Sequence, residues 1–184
     1  MNLPLFPLDE SVLQAMNSAR SIGGTYFFIN LSELAGPTTS AGLGVVVVLG
    51  LYLRKKYAAI AGLAVALVGA NAAWVLLKAY LERPRPAAQL AAFAESGFSF
   101  PSGHATNAFA FGTFLALLLW HHLPAGRMRI FVALLPLLFA ALIAFGRVYL
   151  GVHYVSDVCV GALLGIVFGC AGTWLWKRLE MRTR

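Results

Sequence analysis

The sequence predicts an all-α fold, a polytopic bundle of membrane-spanning helices, and three observations carry that prediction. Of its 184 residues, 60% are hydrophobic and only 11% are charged, whereas soluble domains carry about a quarter charged residues. The apolar residues come in runs close to the roughly 20 residues that a helix needs to cross a bilayer. Several runs end at basic clusters, and the last ends in Trp174 and Trp176 followed by Lys177 and Arg178, the interfacial signature of a span.

Taken in order, residues 1–35 scatter Asp9, Glu10, Arg20 and Glu33 among Leu8, Val12, Leu13 and Met16, which predicts short amphipathic helices lying in the interface. No basic start followed by an apolar core occurs there, so no cleavable signal peptide is expected. Ser21–Leu34 is short and polar for a crossing. Gly36–Leu53 is the first good span, stopped by Arg54-Lys55-Lys56, and Tyr57–Leu77 is the second, ending at Lys78. A loop rich in Pro, Ala and short polar residues runs from Ala79 to Phe100. Gly103–Trp120 is the third span, closed by His121, His122 and Pro124. Ile130–Phe145 is the fourth, with Pro136 as a candidate kink, and Tyr154–Trp176 is the fifth. The expectation is five transmembrane helices, six if Ser21–Leu34 also crosses, in a single domain over residues 1–184. Cys159 and Cys170 lie in an apolar segment with no metal-ligand spacing and read as small packed hydrophobes.

The net charge of +7 reflects loops between spans rather than a nucleic-acid face. With five spans, Arg54, Lys55, Lys56, Arg127, Arg129, Lys177, Arg178, Arg182 and Arg184 fall on one side, nine of the fourteen basic residues. Six of the seven acidic residues fall on the other, with Arg20, Lys78, Arg83, Arg85 and Arg147. The positive-inside rule puts the first group in the cytoplasm. Residues 78–101 and 147–153 then face outward together. His121 and His122 lie on the cytoplasmic side and read as solvated or head-group contacts.

Three stretches on the outer side carry chemistry. In Phe100-Pro101-Ser102-Gly103-His104, proline suits a helix start, and Ser102 and Gly103 are expected on the first turn, where unpaired N–H groups favour an anion. His104 stands one residue beyond that cradle. In Lys78-Ala79-Tyr80-Leu81-Glu82-Arg83-Pro84-Arg85-Pro86, Lys78 and Arg85 are two cations at a membrane edge. Arg83 fits an interfacial head-group contact, and Arg85, fixed between prolines, suits bidentate pairing with phosphate. In the third stretch, Arg147 to Asp157, His153 and Asp157 are four apart and would share a face at the start of the fifth helix. A carboxylate on one ring nitrogen makes the other a better nucleophile or base.

Lys78 with six residues before Arg85-Pro86, then Pro101-Ser102-Gly103-His104, then Arg147 with five residues before His153 and three more before Asp157, resemble the motifs of the type 2 phosphatidic acid phosphatase (PAP2) superfamily, in its membrane branch. The resemblance covers residues 78–157. It implies in-line attack by His153 to form a phosphohistidine, with Asp157 orienting the ring and His104 as general acid. It also implies that Lys78, Arg85, Ser102, Gly103 and Arg147 hold the phosphoryl oxygens, with no metal and no cofactor. Gly146 departs from the pattern, which has serine before the third-motif arginine. The substrate implied is a lipid phosphate drawn from the bilayer: undecaprenyl diphosphate first, phosphatidylglycerophosphate or a lipid A phosphate as alternatives, at the outer face of a bacterial inner membrane. A lipid phosphotransferase and a non-catalytic lipid-binding protein are the readings of other classes.

Overall fold

The computed structural model of the chain describes residues 6–34 and 37–182, and every regular element among them is helical. The helices are α1 (Pro7–Ala19), α2 (Ile22–Leu34), α3 (Pro37–Leu53), α4 (Tyr57–Leu81), α5 (Gly103–His122), α6 (Arg127–Tyr149) and α7 (Val155–Arg182), with one 3₁₀ turn at Ala88–Leu90. Gly36, the expected start of the first span, lies outside the described residues. Helices α4, α6 and α7 are long and apolar enough to cross a membrane. Helix α3 has 17 residues, and the 20 residues of α5 include two histidines at its far end and His104 and Asn107 at its start.

Several helices outrun the apolar runs that announce them. Helix α4 continues past Lys78 to Leu81, α6 starts at Arg127, and α7 runs on to Arg182. Basic residues in an end turn can stay helical because their long stems carry the charge out to the interface. Helix α4 stops where Glu82 adopts a left-handed conformation (φ 46°) and returns its N–H to the Lys78 carbonyl, a C-terminal cap followed by Pro84. Pro136 sits inside α6 without ending it.

Helix α5 is the centre of the bundle, touching α4, α6 and α7. Between helices in lipid, close packing rather than water exclusion holds the partners together, so small residues matter at the contacts. A side chain at Gly161 would come within 2.7 Å of the Ser102 carbonyl, and one at Gly169 within 2.6 Å of Thr113. These glycines let α7 lie directly on α5. Phe114 of α5 is fully buried with Leu63 and Ala66 of α4, and its ring centroid lies 6.2 Å from that of Trp176 on α7. Cys159 and Cys170 are exposed, contrary to their expected packing, because glycines occupy the face of α7 that meets α5.

The amphipathic reading of the N-terminal region holds for α1 but not for α2, which is apolar nearly all round with Ile22, Tyr26 and Phe27 exposed, and both helices are docked on protein. Arg20 donates to the carbonyls of Tyr149 (3.0 Å) and Leu90 (2.8 Å), and Ser21 N–H donates to the Tyr149 hydroxyl (2.9 Å). The Phe28 ring packs against Phe145 and Tyr149. The bundle thus has two unlike ends. At the end away from α1, Lys56 pairs with Glu180 (3.6 Å), and His121 and His122 lie against Trp176.

Candidate active site

Ser102 is the N-cap of α5, its hydroxyl accepting the Ala105 N–H at 3.5 Å, so Pro101 precedes the cap and the helix opens with Gly103 and His104. The sequence expectation put Ser102 one step too far along, inside the first turn. Serine gains more as a cap, where its oxygen meets an otherwise unpaired N–H. Ser102 is fully buried, and its own N–H donates to the Asp157 carbonyl (3.0 Å). That bond ties the start of α5 to the start of α7.

His153 is not on a helix. After α6 the chain turns through Gly151, whose φ of +71° suits glycine, and α7 begins only at Val155. Asp157 is the third residue of α7, and its carboxylate accepts the Tyr154 N–H at 2.9 Å, the return bond of a capping box. It is this cap, rather than a shared helical face, that brings Asp157 Oδ2 to 3.5 Å from His153 Nδ1. Ser99 completes the back of the ring, its hydroxyl 3.4 Å from Nδ1 and donating to Asp157 Oδ2 at 2.5 Å. On the other side of the ring, Nε2 lies 3.3 Å from Arg85 Nη1. A guanidinium can only donate, so Nε2 presents a lone pair and Nδ1 carries the proton toward Asp157. Burial, with the Arg147 and Arg85 charges, outweighs the raising effect of Asp157 and pushes the imidazole down to about 4. The ring is neutral at pH 7.

In front of Nε2 is a cavity of about 290 Å³. Of the expected site residues, Lys78, Arg85, Gly103, His104 and His153 line it, and Trp74, Glu95, Ser96 and Asn107 complete the wall. Lys78, on the last turn of α4, donates to the Phe98 carbonyl (2.9 Å) and lies over the Trp74 ring. Arg85 donates to the carbonyls of Val152 (2.8 Å), Gly97 (3.0 Å) and Ser96 (3.1 Å) and pairs with Glu95 at 3.1 Å. Glu95 also pairs with Arg147, which is buried on the last turn of α6 behind it. Burial would raise the Glu95 carboxyl, and the charges of Arg147 and Arg85 outweigh it and hold the group below its usual range. Three expected residues therefore stand back from the cavity: Ser102 as a cap, Asp157 behind the ring, and Arg147 behind Glu95.

Arg83 is not a head-group contact. Only 1% exposed, it donates from Nη1 to Asp157 Oδ1 (2.5 Å) and Ser156 Oγ (2.7 Å), and from Nη2 to Asp9 Oδ2 (2.7 Å). Its guanidinium lies 4.5 Å from the Tyr154 ring centroid. A cation is required there because Asp9 and Asp157 are both buried. Sequence reasoning missed Asp9, Arg83, Ser99 and Glu95. The scarcity of charge in so apolar a chain was the one available signal for the first two. Gly146 faces away from the cavity, and a side chain there would come within 2.7 Å of the Phe28 ring.

The PAP2 superfamily model matches residues 57–181. Phosphatidylglycerophosphatase B of Bacillus subtilis is 42% identical over 94 residues, covering 50% of this chain and 45% of the relative. Decaprenylphosphoryl-5-phosphoribose phosphatase of Mycobacterium tuberculosis is 39% identical over 103 residues, covering 54% of this chain and 51% of the relative. This chain spans about half the length of these two relatives. The crystal structure of a transmembrane PAP2-type phosphatidylglycerolphosphate phosphatase from Bacillus subtilis superposes with a TM-score of 0.81 at 28% identity, covering 96% of this chain and 86% of that one.

Proposed function

The chain belongs to the PAP2 superfamily, and from that premise we propose that it is an integral-membrane lipid phosphatase working through a phosphohistidine at His153. The observation that carries this reading is the His153 ring itself. Its Nδ1 is backed by Asp157 and its Nε2 lone pair meets Arg85 at the cavity wall, with Lys78, Gly103 and His104 on the same cavity.

On this reading Nε2 attacks phosphorus, and the bond to the leaving oxygen breaks as His104 supplies that oxygen with a proton. Asp157 stabilises the imidazolium that forms. Water, deprotonated by His104, then cleaves the phosphorus–nitrogen bond and releases inorganic phosphate. Lys78, Arg85 and the N–H of Gly103 hold the non-bridging oxygens, and Arg147 joins them once a phosphoryl group replaces the Glu95 carboxylate. These cations supply the charge that a metal would otherwise bring, so activity persists in excess EDTA.

For the substrate we favour undecaprenyl diphosphate. A short loop over residues 82–102 offers no separate head-group domain, and one relative is named for a polyprenyl-linked phosphate. Phosphatidylglycerophosphate is the second reading, favoured by the names of the Bacillus subtilis relative and of the superposed structure. The division of basic residues supports a site on the outer face, which in a bacterium would be the periplasmic or extracellular side of the inner membrane. The test is phosphate release by the purified protein across prenyl, glycerophospholipid and lipid A phosphates. The proposal expects one of these to be hydrolysed in EDTA, with the prenyl diphosphate preferred. No release from any of them would refute it.

A further inference from the structure

We propose that Asp9 on the N-terminal helix and the buried Arg83 are positioning residues for phosphoryl transfer, holding the Asp157 carboxylate and its charge behind His153. The proposal rests on the reading of His153 as the nucleophile. Asp157 has two oxygens with separate duties. Oδ2 takes the Tyr154 N–H and the Ser99 hydroxyl and faces His153 Nδ1, while Oδ1 goes to Arg83. With Asp157 fully buried, Arg83 fixes the rotation of the carboxylate and so the direction in which Oδ2 points.

Asp9 grips the same assembly twice. It takes one arm of Arg83, and it takes both the N–H (2.9 Å) and the hydroxyl (2.7 Å) of Ser156, the residue before Asp157. Charge gives this arrangement a function beyond clamping. Arg83 alone would cancel Asp157 and leave nothing to attract the imidazolium formed on attack. Two carboxylates around one guanidinium leave a net negative charge behind the ring. Asp9 restores what Arg83 would take away. It also lies outside the residues matched by the family model, so the back of the site is completed by a helix that precedes the matched region.

The test uses the full chain purified in detergent with farnesyl diphosphate, a short prenyl diphosphate, in mixed micelles. Asp9→Asn keeps the shape and the acceptor oxygen and deletes the charge. The expected result is a fall in kcat and in the single-turnover rate of phosphoenzyme formation of about 10- to 100-fold, the range typical of losing a partner that orients a functional ligand, with KM unchanged. In an Arg83→Met background the same substitution should lower kcat by a smaller factor, because part of the effect travels through Arg83. A lowered thermal midpoint with unchanged kcat and phosphorylation rate would make Asp9 a structural clip and overturn the proposal. If Asp9→Asn does not fold, Ser156→Ala carries the measurement: a lowered kcat at unchanged KM supports the relay, and unchanged kinetics overturn it. Absence of phosphohistidine at residue 153 in the unsubstituted protein removes the underlying reading as well. Its presence, with Asp9→Asn turning over normally, removes only the relay.

Discussion

Arg83 and Arg85 stand two residues apart across Pro84 and meet His153 from opposite sides. Behind the ring, Arg83 is 1% exposed and bonded to two carboxylates at 2.5 and 2.7 Å. In front, the Arg85 side chain is 13% exposed and bonded to three backbone carbonyls and to one carboxylate at 3.1 Å. The rear guanidinium is saturated by charge in a place that water does not reach. The front one is oriented by neutral carbonyls, and its anionic partner, Glu95, lines the cavity. On the proposed reading, the group that orients the nucleophile is locked by buried charge, whereas the group that receives the phosphate keeps an exchangeable partner.

The largest expected effect tests whether the two sides converge on one ring. His153→Ala should abolish phosphate release, and Asp157→Asn should lower kcat by about 10³- to 10⁴-fold, as in a triad whose histidine loses its anionic partner. Steady-state assays check both, and near-normal turnover by either variant breaks the link between front and back. Next in size is the contrast between the arginines. Arg83→Met leaves two buried carboxylates without their cation and should cost about 3–5 kcal/mol of stability, read as a lowered unfolding midpoint in detergent. Arg85→Met should leave that midpoint near its starting value while lowering kcat/KM by about 10²-fold or more. The reverse pattern would invert the comparison.

How much of this was legible beforehand differs between the two sides. The front reads from the sequence because its residues stand at fixed spacings in short motifs: Lys78 and Arg85, Gly103 and His104, and His153. At the back only Asp157 reads, from its spacing to His153; Asp9 does not, because it stands 148 positions before Asp157 and joins it through Arg83 only after α1 docks on α7. Asp9 in an amphipathic helix has the pattern of a solvated acid, and Arg83 in a basic loop has that of a head-group contact. Nothing local separates them from those roles. The helices were legible from apolar runs, but their ends were not, because snorkelling arginines and lysines extend a helix beyond its hydrophobic stretch. Ser102 was legible as part of the site, while its place as the cap depended on where α5 starts.

A smaller effect sharpens the electrostatics of the ring. His153 is pushed from its ordinary 6.5 to about 4 by burial, so in the fold it resists a proton that the unfolded chain accepts. The stability this confers is full above about pH 6.5 and is lost as the pH falls from 6.5 toward 4, where folded and unfolded chains both bind the proton. Unfolding midpoints across that window should therefore decline on acidification, and His153→Gln should flatten the slope. An unchanged slope would place the imidazole in a wetter setting. The smallest effect concerns Gly146. Gly146→Ser should bring no gain in kcat and should cost about 1–3 kcal/mol through crowding against Phe28. A rise in kcat would turn that position toward the phosphate.

The most direct measurement is to find the phosphoryl group on the enzyme. Phosphohistidine survives alkali and is lost in acid, so the protein is mixed with excess lipid phosphate, quenched in base within its first turnovers, digested and analysed by mass spectrometry. The account predicts one added phosphoryl group on His153, attached through Nε2, and none in His153→Ala. A phosphoryl group on His104, or steady phosphate release with no alkali-stable phosphoenzyme at any time, would contradict it.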